Sequence, residues 1–96
     1  MVTLNDIRAR RDDILRIAHS HGADDLRIFG SFAAGNPSDD SDLDLVASFR
    51  PGTSLIDRIA MMQEIEDILH IKVDVVNERA LNDSIRQSVS QQGVAL

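Results

Sequence analysis

Residues 30–45 read GSFAAGNPSDDSDLDL, and this stretch decides which fold and chemistry the chain is expected to have. It opens with Gly30 and Ser31, directly after residues 26–29, whose alternating pattern predicts a short β-strand. Glycine lets backbone N–H groups approach a phosphate closely, and the Ser31 hydroxyl adds a donor. A short helix beginning at Ser31 would direct its positive end at the same anion. Gly30 and Ser31 are therefore predicted to bind a phosphate group.

The same stretch ends in two aspartates with one residue between them. Ten residues separate Ser31 from Asp42, and Asp44 follows within a predicted strand over residues 42–49. Because strand side chains alternate between two faces, Asp42 and Asp44 share one face, and aliphatic residues occupy the other. That aliphatic face consists of Leu43, Leu45 and Ala47. Residues two apart on a strand are about 6–7 Å apart at the backbone, so both carboxylates can reach one or two divalent ions.

A third aspartate interrupts another aliphatic strand. Asp74 lies between Val73 and Val75 in a predicted strand over residues 71–76, and an exposed aspartate there is a poor strand former. Two unit charges ~6 Å apart at an effective dielectric of ~20 repel by roughly 3 kcal/mol, which favours a bound cation. Hard oxygen ligands suit Mg²⁺, so the sequence predicts a magnesium site of Asp42, Asp44 and Asp74. Such a site is typical of phosphoryl or nucleotidyl transfer.

Three helices are predicted around these strands. Thr3 with Asp6 resembles a capping box that starts a helix over residues 4–20, and Ser54 with Asp57 starts a second one. The apolar stripe of the second helix is predicted to consist of Leu55, Ile59, Met62, Ile65 and Leu69. Asn82 is predicted to cap a last helix that ends near Gly93. The order helix, strand, strand, helix, strand, helix predicts an α+β layered domain over residues 1–96, with a small mixed sheet of about three strands and helices packed on one face.

Composition excludes several classes of function. The chain has 96 residues, a net charge of −6, no cysteine and three aromatic residues, all Phe. An acidic surface disfavours binding to a phosphate backbone, and the few aromatics disfavour a base-stacking platform, so no direct nucleic-acid partner is expected. The absence of cysteine excludes disulfides and zinc–thiolate sites. No leader and no membrane segment is predicted, which leads us to expect a cytoplasmic protein without a membrane partner.

The spacing of Gly30-Ser31, Asp42-x-Asp44 and a later Asp74 resembles the motif of the minimal nucleotidyltransferases of the polymerase-β superfamily. These are the MNT antitoxins, commonly paired with HEPN-domain toxins, and the resemblance covers nearly the whole chain. It implies the nucleotidyltransferase fold, ATP as substrate and Mg²⁺ as cofactor. It further implies transfer of AMP to a tyrosine of a HEPN-type toxin, which silences the toxin's RNase activity. The chain is therefore expected to act as an antitoxin in a hetero-oligomer with that toxin.

The resemblance also implies roles for individual residues. Gly30 and Ser31 would hold the phosphates of ATP. Asp42, Asp44 and Asp74 would be the catalytic residues and the metal ligands. Asp74 would in addition be the general base for the acceptor hydroxyl, because a hydroxyl is a weak nucleophile at neutral pH.

One position departs from the family pattern. The family often has Arg four residues after its glycine, where this chain has Ala34. A fixed cation near the triphosphate is then missing unless Arg27, Arg50 or Lys72 replaces it.

Two alternative functions stay open. One is a non-catalytic binding module that neutralises its partner by covering it, and the other is transfer to a small molecule or nucleic acid. Asp39 and Asp40 are predicted to be turn residues.

Overall fold

The computed structural model describes residues 2–38 and 41–96, so the turn predicted at Asp39 and Asp40 lies outside the described residues. The helices and strands follow one another in the order α1 (Leu4–Ala9), α2 (Arg11–Ser20), β1 (Ala23–Phe29), α3 (Ser31–Ala34), β2 (Leu43–Phe49), α4 (Leu55–Leu69), β3 (Val73–Asn77), a 3₁₀ turn (Glu78–Ala80), α5 (Asp83–Gln92) and β4 (Val94–Ala95). The predicted α+β class and the elements expected from the sequence are confirmed, with differences in their bounds.

The strands form one mixed sheet in the order β3-β2-β1-β4. β1 is antiparallel to both β2 and β4, and β2 is parallel to β3. The parallel pair is connected through α4, as the long helical crossover requires. The sequence predicted about three strands, and the fourth is β4, whose Val94 and Ala95 pair with β1. A two-residue strand is too short to show an alternating pattern, so it carries no signal in the sequence.

The main core lies between one face of the sheet and the two helices α2 and α4. Its strand residues include the predicted aliphatic face Leu43, Leu45 and Ala47, each 0% exposed. The helices contribute Ile14, Ala18, Met61, Ile65 and Leu69 to the same cluster. The opposite face is partly covered by α5, because Val89 of α5 and Val46 of β2 line one cavity and are both buried. The expectation of helices on one face therefore holds for α2 and α4 but not for α5.

The N-terminal helix differs from the single helix predicted over residues 4–20. It starts as expected, because Thr3 and Asp6 form a complete capping box. The helix breaks at Arg10, whose φ of −104° and ψ of 17° lie outside the helical range, and whose N–H donates to the Ile7 carbonyl at 3.0 Å. The break separates the two buried residues Ile7 and Ile14, one in each helix. The polar run between them contains no buried residue that would have marked the break.

The strands begin at positions other than predicted. β1 begins three residues earlier than expected, at Ala23, because a register irregularity near Asp25 leaves two successive aspartates exposed and hides the alternation. β2 and β3 begin one and two residues later than expected, at Leu43 and Val73. Asp42 therefore lies immediately before β2 rather than within it.

The second predicted helix starts as expected but buries a different face. The N–H of Asp57 donates to the Ser54 hydroxyl at 3.1 Å, and the Ser54 N–H donates to the Asp57 carboxylate at 3.2 Å. The bond from the Ser54 N–H holds the pKa of the Asp57 carboxyl below its ordinary value. The predicted stripe was wrong at Leu55 and Ile59, which are 58% and 41% exposed, while Met61 is fully buried. Residues 61, 65 and 69 follow one helix face, and residues 55 and 59 lie about 80–120° around the axis from residue 65.

None of the helices described here is long and apolar enough to cross a membrane.

Candidate active site

The predicted phosphate-binding pair lies at the turn from β1 into α3. β1 ends at Phe29, Gly30 is the N-cap residue and α3 begins at Ser31, as the sequence predicted. Gly30 has φ 75° and ψ −150°, a combination open essentially to glycine alone. The required conformation explains why glycine stands there. The turn brings the first residues of α3 to the end of the sheet that also carries the aspartates.

Two of the three aspartates are direct neighbours in the sheet. Asp44 of β2 and Asp74 of β3 are register partners in the parallel ladder, so their side chains lie on the same face. Asp42 is exposed and precedes β2, where the ladder continues through a bond of 2.9 Å from the Leu43 N–H to the Lys72 carbonyl. On the other side of β2, Phe29 is the register partner of Asp44. Residues from the end of β1, the start of β2 and the start of β3 thus lie together at one end of the sheet.

Gly30 and Asp44 are in direct contact. A Cβ atom built at Gly30 would lie 2.5 Å from Oδ2 of Asp44, closer than real Cβ contacts allow. The absence of a side chain at Gly30 therefore lets the carboxylate lie against the backbone of the β1–α3 turn. The predicted phosphate-binding turn therefore lies directly beside Asp44.

The Asp44 carboxylate lies in an environment that disfavours its charge. Partial burial raises the pKa of Asp44 above its ordinary value of 3.8, and the charges of Asp74 and Asp42 raise it further. In residues 2–38 and 41–96 no group of three or more His, Asp or Glu side chains is assembled closely enough to hold a metal ion. The structure therefore shows like-charged carboxylates rather than a finished ligand cage. Their oxygen donors, their like charges and the exposure of Asp42 and Asp74 fit a hard divalent cation.

We expect Asp44→Asn to stabilise the protein in EDTA at neutral pH. The folded state binds the Asp44 proton more tightly than the unfolded state, so ionised Asp44 lowers the free energy of unfolding. That cost disappears as the pH falls through the raised pKa toward the ordinary value of 3.8. The melting temperature of the variant should exceed that of the wild type by a few degrees at pH 7, since about 1 kcal/mol corresponds to roughly 4–8 °C in a domain of this size.

Thermal melts from pH 7 to pH 4 measure this difference. The gap between variant and wild type should shrink as the pH falls, and Asp67→Asn, an exposed change on α4, should show no gap. A variant less stable than the wild type at pH 7 would show that the Asp44 carboxylate is structural.

The three cations considered as replacements for the family arginine lie in different places. Arg50 follows β2 at the opposite end of the sheet, where it donates to Asp24 at 2.7 Å and to the His19 carbonyl at 2.8 Å. Arg50 is therefore wrong as a replacement. Arg27 is the register partner of Val46, on the face that carries Asp44. Lys72 is exposed and lies in the segment that pairs with the start of β2.

Two cavities lie on this face of the sheet, and no pattern in the sequence indicates either of them. The first, about 360 Å³, is lined by Phe29, Gly30, Ala33, Ala34, Ser88 and Val89. The second, about 240 Å³, lies farther along the sheet, and its walls include Arg27, Val46, Arg86 and Val89. Ala34 thus borders the open space beside the phosphate-binding turn. The α5 residues were missed because nothing in their sequence indicates that α5 folds over this face.

Residues 12–96 match the family model described as polymerase beta, nucleotidyltransferase. A protein of Thermococcus cleftensis named protein adenylyltransferase MntA is 30% identical over 73 residues, covering 76% of this chain and 74% of that protein. The Methanocaldococcus jannaschii protein MJ0435, whose name proposes the same activity, is 28% identical over 93 residues and covers 97% of each chain.

Solved structures show the same architecture. A structure described as a proposed minimal nucleotidyltransferase is 38% identical and superposes with a TM-score of 0.91 over 99% of this chain and 97% of the other. A chain in the structure of a tri-AMPylated Shewanella oneidensis HEPN toxin in complex with an MNT antitoxin is 20% identical, with a TM-score of 0.68 over 92% of this chain and 69% of that one. The second likeness extends to the fold alone.

Proposed function

Because the chain belongs to the polymerase-β nucleotidyltransferase family, we propose that it transfers AMP from ATP to a tyrosine hydroxyl of a cognate HEPN-type toxin and thereby acts as an antitoxin. The observation that carries this proposal is the register pairing of Asp44 with Asp74 against the Gly30 turn. The names of the relatives support the protein acceptor: one is a protein adenylyltransferase. One chain in the complex of a tri-AMPylated HEPN toxin with an MNT antitoxin shares the fold of this chain, which supports the kind of partner.

Each group of the site has a role in this transfer. The acceptor oxygen attacks the α-phosphorus of ATP, the bond from that phosphorus to the bridging oxygen breaks, and pyrophosphate leaves. Asp74 accepts the proton of the acceptor hydroxyl. The Gly30 backbone and the Ser31 hydroxyl hold the phosphates. Mg²⁺ held by Asp42, Asp44 and Asp74 would neutralise the phosphate charge and orient the reacting oxygens.

The position of Asp74 suits the acceptor side of the reaction. β3 is the edge strand of the sheet, and Asp74 is exposed there, while the phosphate-binding turn follows β1 on the other side of β2. If the acceptor approaches over β3 and pyrophosphate leaves over β1, the two lie on opposite sides of Asp44. In-line displacement requires this arrangement of attacking and leaving oxygens.

We expect ATP binding to depend on a divalent ion. The three carboxylates repel the polyphosphate unless a cation neutralises them, so calorimetric titration should give tight binding with Mg²⁺ and much weaker binding with EDTA. Replacing Asp42 and Asp44 together by Ala should remove the difference between the two buffers. Equal affinity of the wild type in both buffers would remove the metal from the proposed function.

A non-catalytic antitoxin is the second candidate, and Ala34 is the observation that favours it. Without the arginine common in the family, the nucleotide site would be vestigial and the chain would neutralise its partner by covering it. The aspartates favour the enzyme, because a covering protein has no need to keep a partly buried Asp44 carboxylate beside the like charges of Asp74 and Asp42. Measurement of the modification state of the toxin separates the two candidates.

A further inference from the structure

α5 lies against the face of the sheet on which transfer is proposed to take place. Val89 is only 7% exposed and lines both the cavity at Gly30 and the cavity at Val46. On one side of Val89, Ser88 borders the cavity that Gly30 opens into. On the other side, Arg86 borders the cavity that extends over Val46. The two cavities are therefore adjacent, and α5 forms a wall of each.

The Arg86 side chain is held in place at the second cavity. Its Nη2 donates to the Leu81 carbonyl at 3.2 Å, and its Nη1 lies 3.7 Å from the Asp83 carboxylate. A guanidinium donates hydrogen bonds in its own plane, so neither of these contacts uses its flat faces. The same cavity has an apolar wall residue in the 4% exposed Val46, and its other walls include the charged residues Arg27, Asp25 and Glu78. A planar guanidinium beside an apolar surface suits a flat aromatic ligand.

The spacing along the sheet matches the length of a nucleotide. Asp44 and Val46 are two residues apart on one face, or about 7 Å. An α-phosphate at Asp44 would place its ribose over this interval and its base over Val46. The polyphosphate would extend the other way, into the cavity beside Gly30 and Ser88.

We propose, resting on the proposed function, that α5 is a nucleotide-binding helix: the Arg86 guanidinium stacks on the base of ATP, and the Ser88 hydroxyl donates to its polyphosphate. Both residues lie beyond the motif that identifies the family. The proposal adds the base contact and the second phosphate contact to the site.

Titration of each variant with Mg·ATP and with magnesium tripolyphosphate tests the Arg86 contact. Arg86→Met should weaken ATP binding about tenfold, the size of one good stacking contact, and leave tripolyphosphate binding unchanged. Arg86→Lys keeps the charge but not the plane, so it should lose as much affinity for ATP. Arg79→Met makes the same change of charge at an exposed position of the 3₁₀ turn and should leave both affinities unchanged.

Ser88→Ala tests the phosphate contact with the same two ligands. It should weaken the binding of ATP and of tripolyphosphate by a similar factor of about ten or more, as expected for a hydrogen bond to a charged group. Gln87→Ala, an exposed neighbour on α5 that lines neither cavity, should change neither affinity.

The outcomes separate this inference from the proposed function. A wild-type protein that binds no Mg·ATP would remove both. If the wild type binds Mg·ATP, and Arg86→Met, Ser88→Ala and their controls bind it with equal affinity, the role of α5 is wrong and the proposed function is unaffected. An Arg86 variant that loses tripolyphosphate affinity as strongly as ATP affinity would place Arg86 at the phosphates and overturn the base contact.

Discussion

Asp74→Asn should lower the transfer of AMP to the toxin by about 10²-fold or more, in the range typical of losing a general base. Asparagine has the shape of aspartate but neither its charge nor its ability to accept the proton. Because Asp74 is exposed on the edge strand β3, the change leaves no buried group without a partner and should not unfold the protein.

Two further measurements show whether Asp74 acts on the acceptor. ATP affinity should fall less than the transfer rate, since Asp42 and Asp44 remain as ligands for the cation. Complex formation with the toxin should be nearly unchanged if the side chain lies within the site rather than across the interface. Asp67→Asn removes one exposed carboxylate from α4 and should leave all three quantities at the level of the wild type.

Mass spectrometry of the toxin after incubation with ATP and Mg²⁺ decides between the two candidate functions. The enzyme predicts a toxin that gains the mass of AMP with the wild type and far more slowly with Asp74→Asn. The covering protein predicts an unmodified toxin that both forms inhibit fully. An unmodified toxin that is nonetheless inhibited by the wild type would refute the proposed transfer.

The sequence predicted those features that depend on a few neighbouring residues. The helix start at Ser31 and the capping boxes at Thr3 and Ser54 follow from local hydrogen bonding, and the structure contains all three. Alternation along β2 and β3 was enough to place Asp44 and Asp74 on one face. Their register as direct partners could not be predicted, because pairing of separate strands depends on the whole sheet.

Features that depend on distant contacts were missed or wrong. Arg50 was a plausible phosphate cation by residue type, but its strand carries it away from the site to an ion pair with Asp24. The sequence favours Met62 for the buried face of α4, whereas the structure buries Met61, because apolar residues occur on several sides of this helix and their spacing does not reveal which side meets the sheet. The cavities lined by α5 bring together residues of α5 with residues of β1 and β2 that are far away in the sequence, so no local pattern indicates them.

Gly30→Ala should lower the rate of transfer by about 10²-fold, although the substitution adds a single methyl group. The new Cβ would lie 2.5 Å from Oδ2 of Asp44, so the carboxylate has to move away from the turn. A displacement of about 1 Å at a reacting centre is enough to cost that much. The backbone adds to the effect, since φ 75° with ψ −150° is a conformation that alanine adopts at a cost of order 1–3 kcal/mol.

Gly35→Ala is the matched control, because it ends the same short helix. Gly35 also has a positive φ, 79°, but lies in the left-handed helical region and has no atom within 4 Å of the position of a Cβ. It should lower stability by about 1–2 kcal/mol through backbone strain and leave the rate of transfer near that of the wild type. Thermal melts and initial rates on both variants separate strain from displacement of Asp44. Equal loss of activity in the two variants would show that the contact between Gly30 and Asp44 has no part in the reaction, and that the turn acts only through its backbone shape.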